Sequence, residues 1–399
     1  MRAIAAAAIL LMLSAAMLGA GMAQADPADH AICRQQDDSA IAACLRIIAD
    51  KSEPKPSRAW ALMVLGNIRD DHGDQDGALS DYEEALALDP ANANVHFNRG
   101  LVWHKKAEHD RAIADFSEAI RLDPTMSAAY ASRGIDRHDA ADSVHALADY
   151  NEALRLDPDN TDAYYNRGIV YHDQGDNDRA IADFTKVLQL DPKAVDAYRM
   201  RGIAWRAKGN DKTALTDYDA ALRLDPKNFS LLSARAHLLA STQQFDSAIA
   251  DYDALIRLQP RNADAYADRA GAWLTKGVLD NVLADCAEAL RLNPKNVIAL
   301  ANRGSYWARK GKFDRAIADY DAAIKLDRRR PALYVNRGHA WSQKNNLDLA
   351  IADYTEALRL DPKNAEAFSL RSAAWQAKGD PQRAEADLNA VKQLEAHAN

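Results

Sequence analysis

Apolar and small residues recur at helical spacing along most of this chain, and the recurrence breaks off at regular places. Residues 161–192, TDAYYNRGIVYHDQGDNDRAIADFTKVLQLDP, show the pattern well. Tyr164, Gly168 and Tyr171 fall at i, i+4 and i+7, one face of a helix. Gly175-Asp176 then supplies a stop and a turn. A second stripe follows at Ala180, Ile181, Phe184, Val187 and Leu188. Asp191-Pro192 ends it, because the residue before proline is pushed out of the helical region. The spacing predicts a helix A over 161–174 and a helix B over 178–190.

That unit repeats every 34 residues. Pro56, Pro90, Pro124, Pro158, Pro192, Pro226, Pro260 and Pro294 keep step, Arg328 takes the next slot and Pro362 resumes it. A fixed period of this size means stacked supersecondary units in place of a single globular core. Counting from three residues after each slot, ten units start at Ala59, Ala93, Ser127, Thr161, Val195, Phe229, Ala263, Val297, Pro331 and Ala365. Residues 37–50, DDSAIAACLRIIAD, read as one further helix before them. The expectation is an all-α chain of twenty repeat helices plus that one, without a sheet.

Within the unit, position 20 is Ala everywhere except Val282. Position 11 holds Trp103, Trp205, Trp273, Trp307, Trp341 and Trp375, six of the seven tryptophans. Position 24 is Tyr or Phe except at Cys286 and Leu388. Small residues at 8 and 20 let two helices approach, and aromatics at 4, 11 and 24 fill the space around them. With Pro at position 32, this pattern resembles the tetratricopeptide repeat over residues 59–398. The resemblance implies a helical-hairpin solenoid, a right-handed superhelix with helix A lining a concave face.

Two positions depart from that family. Position 7, usually Leu, is Arg in every unit but the first, which keeps Leu65; position 23 is Asp in all ten. An arginine within an apolar stripe needs a carboxylate, since an unpaired buried charge costs several kcal/mol. Unit 1 lacks the Arg, and the preceding helix has Ala43 where the Asp would fall. That coincidence favours pairing with the preceding unit: Arg99 with Asp81, Arg167 with Asp149 and Arg201 with Asp183. These pairs would fix the stacking register and carry no catalytic role.

Residues 1–25 read as a secretory leader, with Arg2, an apolar run and Ala23-Gln24-Ala25 as a cleavage site. Cleavage after Ala25 implies a periplasmic or secreted protein, with no integral membrane segment left. Residues 26–58 then form an N-terminal capping segment with one helix. Cys33 and Cys44 are expected to bridge in an oxidising compartment and to cap the open end of the stack. Cys286 stands at a core position and reads as a small buried hydrophobe.

In the resembled family, binding falls on helix A positions 2, 5, 6, 9, 12 and 13. Position 6 is Asn at Asn98, Asn166, Asn302 and Asn336, with Ser132, Met200, Ala234 and Asp268 interrupting the row. The row resembles the asparagine ladder of the O-linked N-acetylglucosamine transferase repeats, where amides grip an extended peptide. An amide offers both a donor and an acceptor to a peptide group. Position 12 carries His104, His138 and His172 in successive units. Such sites lie about 10 Å apart in packed helices, and zinc–nitrogen bonds are about 2 Å, so one ion cannot bridge them. Asp136, His138, Asp139, Asp142 and His145 crowd the turn of unit 3. A locally polar unit accounts for them, with an ion site as the other reading.

The chain carries 50 basic and 58 acidic residues, a net charge of −8. With an exported chain, that balance argues against nucleic acid as a partner. No nucleophile motif or phosphate loop stands out, so no catalytic residue, metal or cofactor is assigned. The expected function is a non-enzymatic adaptor of the bacterial cell envelope, binding a polypeptide segment or partner subunit in the concave groove. The alternative is an assembly scaffold working through its convex face and ends.

Overall fold

A computed structural model describes residues 25–398. The leader expected over residues 1–25 lies, apart from Ala25, outside the described residues. Among these, twenty-two α-helices and one short 3-10 turn follow one another, with no strand. Twenty of the helices form ten hairpins, from Lys55–Asp71 and Gln75–Leu88 in repeat 1 to Ala365–Ala377 and Pro381–Ala398 in repeat 10. In repeat 4, helix A is Thr161–Asp173 and helix B is Asn177–Leu190, within a residue of the sequence expectation.

The turns follow from local chemistry. Between A and B, Gly175 adopts φ 79°, the left-handed region where a side chain is costly. The next residue, Asp176, accepts from Arg179 N and caps helix B. Between B and the next A, Asp157 accepts from Asp159 N at 3.1 Å, so the chain turns beside Pro158. Asn160 then caps the following helix by accepting from Ala163 N.

The chain divides into two compact halves, one ending at Ala204 and the other starting at Trp205. In each half helix A packs on helix B of its own repeat, and that helix B packs on the next helix A. Close approach is set by glycine at position 8. A Cβ on Gly100 would lie 2.7 Å from Phe116, and one on Gly168 would lie 2.8 Å from Phe184. In the second half Gly304 and Gly338 meet Tyr320 and Tyr354 in the same way. These rings are among the largest fully buried side chains.

The N-terminal segment differs from expectation by one helix. Pro27–Cys33 is helical in addition to Ile41–Ala49. Asp26 caps it by accepting from Ala28 N, Pro27 opens the first turn, and Asp29 accepts from Asp26 N. A disulfide between Cys33 and Cys44, with Cα atoms 5.1 Å apart, ties the two helices together. Arg46 Nε donates to Asp29 at 3.0 Å alongside it.

Candidate binding groove

Eight position-7 arginines close on the aspartate of their own repeat. Arg99 Nε and Nη2 donate to Asp115 at 2.8 and 2.7 Å. Arg167 holds Asp183 at the same two distances. The two-pronged pair recurs at Arg133–Asp149, Arg235–Asp251, Arg337–Asp353 and Arg371–Asp387. This corrects the expected Arg99–Asp81 and Arg167–Asp149 pairs, and it gives Asp183 to Arg167 where Arg201 was expected. The reason is the hairpin register. The contact between the glycine at position 8 and the aromatic at position 24 places positions 7 and 23, one residue earlier on each helix, opposite each other.

The first repeat does not break the rule. Arg69, at position 11, stands one turn beyond Leu65 and reaches Asp81 through Nη1 at 2.8 Å. Arg137 makes the same approach to Asp149 at 2.7 Å. Leu65 alone gives no hint of this, because position 11 is an aromatic slot in most of the other units. The available signal was an arginine at 11 in the one unit without an arginine at 7.

The remaining nitrogen does cross to the preceding repeat, at position 25 in place of 23. Arg133 Nη1 donates to Ser117 at 3.0 Å, Arg167 to Asn151 at 2.6 Å and Arg201 to Thr185 at 3.1 Å. In the second half Arg235 reaches Asp219 and Arg371 reaches Thr355. One guanidinium therefore closes its own hairpin and stitches it to the one before. Burial works to raise Asp115, but hydrogen bonds from His96 and Arg99 outweigh it and hold the carboxyl below its usual range. Asp81 has only the single prong, and burial pushes it up to about 7.

The four position-6 asparagines are half-buried on helix A. Asn98 donates to Asn67 Oδ1 at 2.9 Å, and that oxygen also accepts from the Tyr82 hydroxyl at 2.7 Å. Asn166 donates to the Asp162 carbonyl and Asn302 to the Ala267 carbonyl, each at 2.9 Å. Three of the four amides are thus engaged within the protein.

Of the four, Asn302 faces a defined cleft. The helix A faces of repeats 6, 7 and 8, with the A–B turn and helix B start of repeat 6, border about 570 Å³, lined among others by Phe245, Asp268, Gly271, Thr275 and Asn302. Small residues in repeat 7, Ala267, Ala270, Gly271 and Ala272, let helix A of repeat 8 come close. A Cβ on Gly271 would sit 3.2 Å from Asn302 Nδ2. His237 Nε2 lies 2.9 Å from Asp268, which raises the imidazole above its usual range. The sequence pointed to Asn302. It did not point to Asp268, which interrupted the asparagine row, or to His237 and Gly271.

The three position-12 histidines take separate partners. His104 Nδ1 meets Asp136 at 3.0 Å, His138 Nε2 meets Asp173 at 3.3 Å and His172 Nδ1 meets Asn177 at 2.8 Å. His145 turns to Asp142 at 2.8 Å. Cys286 is buried, which pushes its thiol up to about 12. No helix among the described residues is long and apolar enough to cross a membrane.

Comparisons with known proteins agree with the geometry. Profiles described as TPR repeat match residues 66–107 and 145–175. Profiles described as tetratricopeptide repeat match 93–126, 161–194, 233–281, 283–332 and 331–364. No curated protein sequence matches the chain. Among solved structures, a tetratricopeptide repeat protein from Parabacteroides merdae is similar at 22% identity, with TM-score 0.53, over 62% of this chain and 98% of its own. The Cut9–Hcn1 hetero-tetramer of the APC/C is similar at 16% identity, with TM-score 0.51, over 92% of both chains. At these identities the likeness concerns the fold alone.

Proposed function

The chain belongs to the tetratricopeptide-repeat family, and from that premise we propose that it is a non-enzymatic adaptor of the bacterial cell envelope. It binds an extended polypeptide segment, or a partner subunit, along its helix A faces. The cleft of repeats 6–8 carries the proposal. It presents the Asn302 amide, held by the Ala267 carbonyl and packed on Gly271, beside the Asp268 carboxylate. Amide and carboxylate together match a peptide main chain and its basic or hydroxyl side chains.

The envelope assignment rests on the leader pattern at residues 1–25 and on the Cys33–Cys44 bridge, a bond suited to an oxidising compartment. The internal bonds of Asn98 and Asn166 favour a second reading, an assembly scaffold that works through the convex face and the ends.

A photo-crosslinking residue at position 302, with a control at the partly exposed Glu288 on helix B, separates the two. Incubation with envelope extract and mass analysis of the adducts should give a polypeptide joined at 302 and not at 288. Replacing Asn98, Asn166, Asn302 and Asn336 with Ala should weaken that association at least about tenfold at unchanged helicity, at roughly 0.5–1.5 kcal/mol per amide. Adducts at 288 alone, with undiminished binding by the quadruple variant, would promote the scaffold.

A further inference from the structure

Asp136 is fully buried, and it stands where the other repeats keep apolar residues. Position 10 holds the buried Ile68, Val102, Val170, Ala204 and Leu238 in repeats 1, 2, 4, 5 and 6. A carboxylate in such a place costs several kcal/mol unless a cation answers it. The adjacent Arg137 does not, since its guanidinium lies on Asp149. The groups that reach Asp136 are two imidazoles, His104 Nδ1 at 3.0 Å and His109 Nδ1 at 2.7 Å, both on the same oxygen. The other oxygen, Oδ2, has no partner.

Asp139 completes the group one turn on. Donor atoms of His104, His109, Asp136 and Asp139 all lie within 4.8 Å of one another. His104 closes helix A of repeat 2 and His109 opens its helix B, while both aspartates end helix A of repeat 3. Two carboxylates in the last turn of a helix add to the negative end of its dipole, an arrangement that favours a bound cation.

We propose that His104, His109, Asp136 and Asp139 form a binding site for a divalent transition-metal ion, with zinc as its simplest occupant. Two imidazole nitrogens and two carboxylate oxygens are a donor set that zinc accepts. A tetrahedral ion with bonds of about 2.0–2.1 Å sets its donors about 3.3 Å apart. The two Nδ1 atoms need to withdraw from Asp136 Oδ1 by only a few tenths of an ångström, and Asp139 to move inward. Nδ1 must carry the lone pair in both rings, with the proton on Nε2. The free Oδ2 of Asp136 gives the carboxylate a second oxygen for the same ion. The ion would tie repeat 2 to repeat 3, and it would do so through two histidines of one repeat, only His104 being drawn from the position-12 row.

The test uses the untagged chain, stripped with chelator and titrated with zinc in a calorimeter. One zinc per chain is expected, at roughly micromolar affinity or tighter, with a zinc-dependent rise in melting temperature. His109→Ala should lower the affinity at least about a hundredfold. Asp136→Val copies Val102 and Val170. It should melt higher than the parent in chelator and show no response to zinc. The proposal is overturned if the parent takes up no zinc and its melting point does not move. It is equally overturned if both variants bind zinc as the parent does. Should Asp136→Val fail to fold, the partly exposed His109→Ala carries the decision alone.

Discussion

Ten aspartates at position 23 are buried, and two of them show opposite balances of burial and pairing. Asp115, with two prongs from Arg99 and a contact from His96, stays below its usual range. Asp81, with the single prong of Arg69 and an unpartnered Oδ2, rises to about 7. A carboxyl raised in the folded state keeps its proton there while the unfolded chain has lost it, so stability falls as pH rises between about 4 and about 7. Leu65→Arg would bring the missing fork and lower the Asp81 pKa. Its melting temperature should fall less over that window than the parent's, and Asp81→Asn should remove the Asp81 contribution. Parallel pH profiles in all three proteins would show that Asp81 does not titrate there. The existence of the Arg–Asp pairs was legible in the residues, but their direction was not. Position 7 alone cannot say whether position 23 of its own or the preceding repeat faces it. The seating of the position-24 ring on the position-8 glycine decides, and that is a fact of packing.

The hairpin is the scale at which the sequence spoke most clearly. Glycine turns, Asp-Pro ends and the 3.6-residue stripe placed both helices of repeat 4 within a residue of their observed bounds. The helix Pro27–Cys33 escaped because seven residues are too short to show a periodicity. Its signal was chemical, an Asp26-Pro27 start with Asp29 three residues on. The groove was legible only at Asn302, because a cleft depends on which neighbouring helices come close. At this scale the glycine at position 8 is the sensitive point. Gly168→Ala gains helix propensity worth about 1 kcal/mol, but its Cβ meets Phe184 at 2.8 Å. Overpacking costs about 1–3 kcal/mol, so the variant should be less stable overall. Phe184→Leu in the same chain should recover much of that loss, because the smaller side chain leaves room for the added Cβ. Urea unfolding of the single and double variants measures both; an additive double variant would rule out the contact as the cause.

Across the whole chain, acidic residues prevail over residues 51–200, 28 against 17 basic, and basic ones over 201–350, 24 against 17. Such a bias bears on how a charged partner is oriented and not on the fold. Stability in a repeat array is a sum of hairpin and seam contributions, and the guanidinium fork divides them cleanly. Two nitrogens belong to the hairpin and one to the seam. The seam acceptor varies among Ser117, Asn151, Asp219, Asp253, Asp321 and Thr355 without changing the hairpin bonds. Deleting residues 331–364 would set repeat 10 on repeat 8, and Arg371 would find Asp321 where Thr355 had stood. The shortened chain should keep its helicity per residue and melt cooperatively, as circular dichroism would record; loss of helix beyond the excised repeat would refute this. A chain whose parts carry their own counter-charges can gain or lose whole repeats by unequal recombination. No intermediate length then strands a buried ion, so the array can be resized in inheritance as readily as it is extended in space.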